Sequence, residues 1–266
     1  MTRLREKFKQ LTDEKRCALV VYLTFGDPTP EVSLEIVSRV AQAGADVVEL
    51  GVPFSDPNAD GPVIQAAMQR AIASGAGLSS ALQGVGALRK SGVDVPIVLF
   101  GYYNPIFVMG VGPFSKRASE VGVDAVLTVD LPVDEIAELH GPLSKQGLDV
   151  IPLVAPTSTD ERLAAVKKTQ APFIYYISRT GITGSAFQGA AGGSERIARI
   201  RKDCAAPVCV GFGIKTGEDA ARLRPSVDGV VVGSALIEKI ADGNPDGAAD
   251  RAAAFVAELR RSIDAA

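Results

Sequence analysis

Short runs rich in β-branched residues alternate with longer amphipathic stretches from one end of the chain to the other, and this alternation leaves few folds open. Alternating apolar runs bounded by Gly, Asp and Pro read as strands, and the 3.6-period stretches between them read as helices. The chain is therefore a series of βα units feeding a parallel sheet. Eight strands are expected: Ala18–Thr24, Asp46–Leu50, Pro96–Gly101, Asp124–Val129, Asp149–Val154, Phe173–Ser178, Val208–Gly211 and Gly229–Val232. These units fill the 266 positions without a break in composition. The expected architecture is a single α/β domain over residues 1–266, a (β/α)8 TIM barrel, with the charged opening stretch as an N-terminal helical extension. An open doubly wound sheet is the alternative. It would want a Gly-x-Gly-x-x-Gly turn after the first strand, where Thr24-Phe25-Gly26-Asp27-Pro28 stands instead.

A local repeat marks where strands begin: Gly44-Ala45-Asp46-Val47, Gly92-Val93-Asp94-Val95, Gly122-Val123-Asp124-Ala125 and Gly147-Leu148-Asp149-Val150. Each Gly suits the left-handed position that ends the preceding helix, where a Cβ is penalised. Each Asp then falls at the bottom of a barrel strand, the face associated with stability, so these four acids read as structural.

Charge and cysteine usage narrow the partners. A net charge of -3 leaves no basic excess to neutralise a nucleic acid, so nucleic acid is not an expected partner. Cys17, Cys204 and Cys209 are odd in number and lack CxxC spacing, which suits reduced thiols acting as small hydrophobes in a cytoplasmic protein. The opening stretch Met1–Arg16 has no apolar core of a signal peptide, and no later run is long enough to span a membrane.

Glu49 is the most informative side chain, because it lies inside the apolar run Val47-Val48-Glu49-Leu50 near the C-terminal end of its strand. Alternation puts Val47 and Glu49 on one face. A lone acid under the helix layer would be costly, whereas one aimed into the barrel mouth would be partly desolvated and suited to proton transfer. A structural Glu–Arg pair is the alternative. The loop that follows, Gly51 to Pro62, is long, rich in Pro and Gly, and carries Asp56 and Asp60. Asp60 reads either as a functional acid or as the N-cap of a helix over Pro62–Ala73.

Gly-rich turns follow the last three strands: Ser178-Arg179-Thr180-Gly181-Ile182-Thr183-Gly184, Gly211-Phe212-Gly213 and Gly233-Ser234. Loops in these positions, with a helix starting at Ser234, would cradle the phosphate of a small molecule. The single histidine, His140, falls in a helix, and no His, Cys or acid cluster has metal-ligand spacing. No lysine ends a strand, which disfavours a Schiff-base aldolase.

The runs Val48-Glu49-Leu50-Gly51-Val52-Pro53-Phe54-Ser55-Asp56-Pro57 and Ala59-Asp60-Gly61-Pro62-Val63-Ile64-Gln65 resemble the signature of tryptophan synthase alpha subunits. The resemblance extends through Gly101-Tyr102-Tyr103-Asn104-Pro105, Asp130-Leu131-Pro132, Leu153-Val154-Ala155-Pro156-Thr157, the Ser178–Gly184 turn and Gly211-Phe212-Gly213-Ile214. It implies a lyase that cleaves indole-3-glycerol phosphate to indole and glyceraldehyde 3-phosphate. Glu49 would donate and accept protons, and Asp60 would sit near the indole nitrogen. It further implies phosphate binding by Gly184, Gly213, Gly233 and Ser234, with Thr183 ordering its loop and Tyr175 near the glycerol phosphate. Tyr22, Phe100, Tyr102, Leu127 and Phe212 would wall the indole. No cofactor is implied in this chain. A pyridoxal-phosphate beta subunit is the implied partner in an α2β2 complex, contacted through Asp56, Pro57, Asn104 and Pro132. A stand-alone lyase releasing free indole is the alternative. Two positions depart from the pattern: Tyr22 stands where some members carry Phe, and Asn58 replaces a residue often apolar.

Overall fold

The computed structural model describes residues 2–177, 193–211 and 213–266. Its strands are β1 (Ala18–Thr24), β2 (Val47–Gly51), β3 (Ile97–Gly101), β4 (Ala125–Thr128), β5 (Asp149–Val150), β6 (Leu153–Val154), β7 (Ile174–Ile177), β8 (Val208–Gly211) and β9 (Gly229–Val232). The described helices are α1 (Arg3–Asp13), α2 (Pro30–Gln42), α3 (Pro62–Ala73), α4 (Leu78–Lys90), α5 (Tyr103–Met109), α6 (Val111–Val121), α7 (Ala137–Lys145), α8 (Asp160–Thr169), α9 (Gly193–Cys204), α10 (Gly217–Leu223), α11 (Ser234–Ala241) and α12 (Ala248–Asp264).

All strand pairs are parallel, in the order β5-β4-β3-β2-β1-β9-β8-β7-β6. The fifth expected strand, Asp149–Val154, is corrected to two short pieces flanking Ile151 and Pro152. Pro152 has no N–H to give a ladder, so regular pairing breaks there. The two pieces face opposite neighbours: β5 pairs with β4 and β6 with β7. The break is bridged on both sides, by Ile151 N–H to the Val126 carbonyl at 2.9 Å and Tyr175 N–H to the Pro152 carbonyl at 3.1 Å. The split strand is thus the stave that closes the ring, and the chain folds as a TIM barrel. The other strands match expectation to within two residues at each described end. Asp46, Pro96, Asp124, Val129 and Phe173 drop out of them, and Gly51 joins β2.

The Gly-x-Asp repeat explains the lower end of the barrel. Its four glycines have φ between +74° and +107°. Asp46 and Asp124 each accept the N–H of the neighbouring strand, from Leu19 and Ile97 at 2.9 Å, and each takes an arginine, Arg260 at 3.1 Å and Arg89 at 2.8 Å. Asp228, outside the repeat, does the same with Val208 N–H at 2.8 Å and Arg201 at 2.7 Å. Asp149 takes Arg5 and Thr2 from the N-terminal helical region, at 2.9 and 2.8 Å. Asp94 breaks the pattern. Its strand starts at Ile97, two residues later than the repeat implies, and the side chain is 84% exposed, held only by Arg3. Helix α1 crosses this face, with Phe8 stacked on Phe173 at 4.9 Å and Leu4 and Leu11 buried. The lower end is therefore plugged and its acids are paired, which leaves the upper end for chemistry.

Candidate active site

Glu49 lies on β2 with Tyr22 of β1 and Val98 of β3 as its ladder partners, so the three side chains share a face. That face is the barrel interior. Glu49 acts electrostatically on Tyr175, which comes from β7 on the opposite wall, and it is the largest influence there after burial. The Glu49 side chain is 0% exposed, and neither carboxyl oxygen has a hydrogen-bond partner among the described residues. No arginine pairs with it there, so a structural ion pair is not what the geometry supports. Burial alone pushes its pKa up to about 8, because the charged form has lost water and gained no compensating donor.

Asp60 is held quite differently. The N-cap of α3 is Gly61, without a side-chain cap bond, so Asp60 is not the helix cap that its position allowed. Its Oδ2 instead accepts the Tyr102 hydroxyl at 2.7 Å, and the same phenol oxygen accepts the Ala59 N–H at 3.0 Å. Burial raises the Asp60 pKa, and the Tyr102 hydrogen bond works against that rise. The two acids therefore differ in kind: one is unpartnered and holds its proton at neutral pH, the other is stabilised as an anion by a donor.

Aromatic rings line the space between them. Tyr22 packs edge-on against Phe100, with ring centroids 5.1 Å apart, and Phe54 stacks on Tyr102 at 5.0 Å. Leu127 is the ladder partner of Phe100 and shares its face. Tyr22 and Tyr175 each lean over a glycine on the next strand: a Cβ on Gly51 would lie 2.3 Å from the Tyr22 Oη, and one on Gly211 would lie 2.1 Å from the Tyr175 Oη. Tyr22 also bonds Thr24 at 3.2 Å. Thr24 and the contacts of Phe54, Gly51 and Gly211 with these rings escaped the sequence reading. The signal for the glycines is a Tyr two residues below the level of a Gly on the neighbouring strand, visible only once the register is known.

Of the phosphate candidates, Ser234 begins α11 as expected, exposed, and Gly233 is its N-cap. A Cβ on Gly233 would sit 3.5 Å from the Tyr22 Cβ, so this turn adjoins the aromatic wall. Gly213 is exposed with φ +73°. Thr183, Gly184 and Phe212 lie outside the described residues. Asp56, Asn104 and Pro132 are exposed and Pro57 is half-buried, all in loops or helix starts after β2, β3 and β4. Phe107 and Val108 on α5 are 65% and 77% exposed. His140 is half-buried on α7, and the three cysteines are free and buried. Among the described residues, no cluster of His, Cys, Asp or Glu could hold a metal ion, and no single helix is long and apolar enough to cross a membrane.

A parallel barrel with two unlike carboxyls at the C-terminal ends of its strands, walled by aromatic rings and flanked by a helix start, has the layout of a class: barrel enzymes with a small-molecule site at the upper end. Comparison with known proteins narrows this further. The model of the family described as tryptophan synthase alpha chain matches residues 8–265, and the chain belongs to that family. It is 44% identical over 264 residues to the tryptophan synthase alpha chain of Dechloromonas aromatica, covering 99% of this chain and 98% of that one. It is 42% identical to that of Cupriavidus metallidurans, over 100% of both. The crystal structure of tryptophan synthase subunit alpha from Legionella pneumophila superposes with a TM-score of 0.93 at 34% identity, covering 100% of both chains. The chain is accordingly a lyase of tryptophan biosynthesis that cleaves indole-3-glycerol phosphate to indole and glyceraldehyde 3-phosphate.

Proposed function

We propose that Glu49 and Asp60 carry this cleavage as an acid–base pair, without a cofactor in this chain. The observation that supports it is the contrast between them: a buried Glu49 carboxyl with no partner among the described residues, and an Asp60 carboxylate already holding a donor. Protonated Glu49 delivers its proton to C3 of the indole, turning the ring into an indoleninium. The C=N⁺ bond then takes up the electron pair released as the carbon–carbon bond to the glycerol chain breaks. The ionised Glu49 removes the proton of the side-chain hydroxyl, which becomes the aldehyde, and is thereby reset. Asp60 stabilises the positive charge that develops on the ring nitrogen. Tyr22, Phe100, Tyr102, Leu127 and Phe212 wall the indole, and Tyr175 and Thr183 flank the glycerol phosphate. Gly184, Gly213, Gly233 and Ser234 cradle the phosphate, with the start of α11 favouring the anion.

Membership of the family carries with it a complex with a beta subunit. The finer reading is an α2β2 assembly in the cytoplasm, contacted through Asp56, Pro57, Asn104 and Pro132. The exposed Phe107 and Val108, beside Asn104 on α5, add an apolar patch that favours a docked enzyme over a stand-alone lyase releasing free indole.

Indole release by the purified chain, with and without a beta subunit, tests these roles against Glu49→Gln and Asp60→Asn. Loss of a positioned general acid should lower turnover by about 10²–10⁴-fold. Wild-type turnover by either variant refutes the assignment.

A further inference from the structure

The acid–base reading leaves open how Asp60, on a long loop rather than a strand, is fixed to the precision that catalysis requires. Loop-borne groups need support from rigid elements. Tyr102, immediately after β3, touches the loop at three separate points: its ring stacks on Phe54 at 5.0 Å, its oxygen accepts the Ala59 N–H at 3.0 Å, and its O–H donates to Asp60 Oδ2 at 2.7 Å. On the strand side, Tyr102 follows Gly101, which pairs with Thr128 of β4. The Tyr103 N–H, one residue further on, is tied to Asp130 at 2.8 Å. The backbone is thus held on both sides of the phenol.

We propose that Tyr102 is the positioning residue for Asp60, clamping the loop to the barrel wall and occupying Oδ2 so that Oδ1 is presented to the ligand's ring N–H. The donor count supports the direction. A phenol has one hydrogen, and the Ala59 N–H already points at the oxygen. That hydrogen therefore goes to the carboxylate, and the oxygen left over, without a hydrogen-bond partner among the described residues, is the one that can receive a ring N–H. This deepens the acid–base reading and rests on it.

Among the described residues, the titratable groups around this pair are few. Asp60 and Tyr102 act on Tyr22 from β1, and Asp130 after β4 acts on Tyr102. Glu49 and Asp60 both act on Tyr22 and on Tyr175 from β7. Removing the Tyr102 hydroxyl therefore leaves the surroundings of Glu49 intact while stripping Asp60 of its donor.

The test is the pH profile of indole release from indole-3-glycerol phosphate for the wild type, Tyr102→Phe, Asp60→Asn and the double variant. Tyr102→Phe keeps the ring on Phe54 and loses both hydrogen bonds. A hydrogen bond to a charged group is worth about 10- to 100-fold, so kcat/KM should fall by that factor. The acid limb, set by Asp60, should move to higher pH, and the alkaline limb, set by Glu49, should stay. In the Asp60→Asn background the same change should cost less than about threefold, because the carboxylate it serves is gone. Replacing Tyr102 with 3-fluorotyrosine keeps every contact and strengthens the donor, so the acid limb should move the other way even if Tyr102→Phe does not fold. Unmoved acid limbs in a turning-over wild type and its variants, or equal losses in the two backgrounds, overturn the clamp alone. No turnover by the wild type overturns the acid–base reading and the clamp with it.

Discussion

Glu49 should cost the fold stability, and the cost should depend on pH. Its folded pKa of about 8 lies far above the value of 4.5 for a free glutamate, so between those pH values the native state holds a proton that the unfolded chain has released. Stability changes with pH in proportion to protons bound in the unfolded state minus those bound in the native state, and here that difference is negative. The penalty is absent below about pH 4.5, grows at about 1.4 kcal/mol per pH unit, and levels off above pH 8 near 5 kcal/mol. That figure is an upper bound, since any water reaching the carboxylate recovers part of it. Glu49→Gln replaces the acid with a neutral group of similar shape and should be close to neutral at pH 4.5. It should stabilise by about 2–5 kcal/mol at pH 8.5. Urea unfolding of both proteins at the two pH values measures this, and taking the difference between pH values cancels the local packing change. A stability difference that stays constant with pH, or one in which Glu49→Gln loses ground as pH rises, refutes the picture of an unpartnered buried carboxyl.

Gly51→Ala places a Cβ 2.3 Å from the Tyr22 Oη and 2.7 Å from its Cζ, so it should destabilise by about 1–3 kcal/mol. Calorimetry of the double variant with Tyr22→Phe should show part of that loss recovered, and strict additivity would contradict the contact. Asp124→Ala strands the largely buried Arg89 and the Ile97 N–H and should cost about 3–5 kcal/mol, whereas Asp94→Ala, from the same sequence repeat, should cost under about 1 kcal/mol. Equal melting shifts for the two would refute the distinction drawn between them.

Much of this fold is legible in the sequence because a barrel repeats one pattern. The βα units state the same alternation, and four of them the same glycine at a helix end, so α3 falls on Pro62–Ala73 as expected and β1, β8 and β9 keep their expected bounds. The fifth strand was harder. Its apolar pattern runs straight through Pro152, and only the ladder shows that a residue without an N–H divides the strand between two neighbours. Asp94 was misread for a similar reason: the repeat gives the residue types, but Val95-Pro96 delays the strand and leaves the acid in solvent. In the site, Glu49 stood out because ionisable residues are rare in apolar runs. Its place beside Tyr22 and its electrostatic influence on Tyr175, and the hold of Tyr102 on Asp60, join residues far apart in sequence, where alternation carries no information about distance.

Glu49 and Asp60 are treated unlike the other buried acids of this barrel, including Asp27 above β1, which Arg70 holds at 2.7 and 2.8 Å, and that contrast says more than any single residue. At the lower end Asp46, Asp124 and Asp228 each receive a backbone N–H and an arginine, and Asp149 receives an arginine and a threonine hydroxyl. Burial there is compensated, and the acids tie strands to helices. At the upper end, among the described residues, Glu49 has no donor on a rigid strand and Asp60 has one donor, from a phenol. A buried carboxyl without a partner is expensive, and nothing in the packing of β2 requires one, since its ladder partners Tyr22 and Val98 would accommodate an apolar side chain at the same level. Under the proposed acid–base reading, that expense is accounted for by what the Glu49 proton does. An arginine placed beside Glu49 would lower its pKa, fix the charge and relieve the cost, and in doing so would remove the proton that the proposed cleavage delivers to the ring.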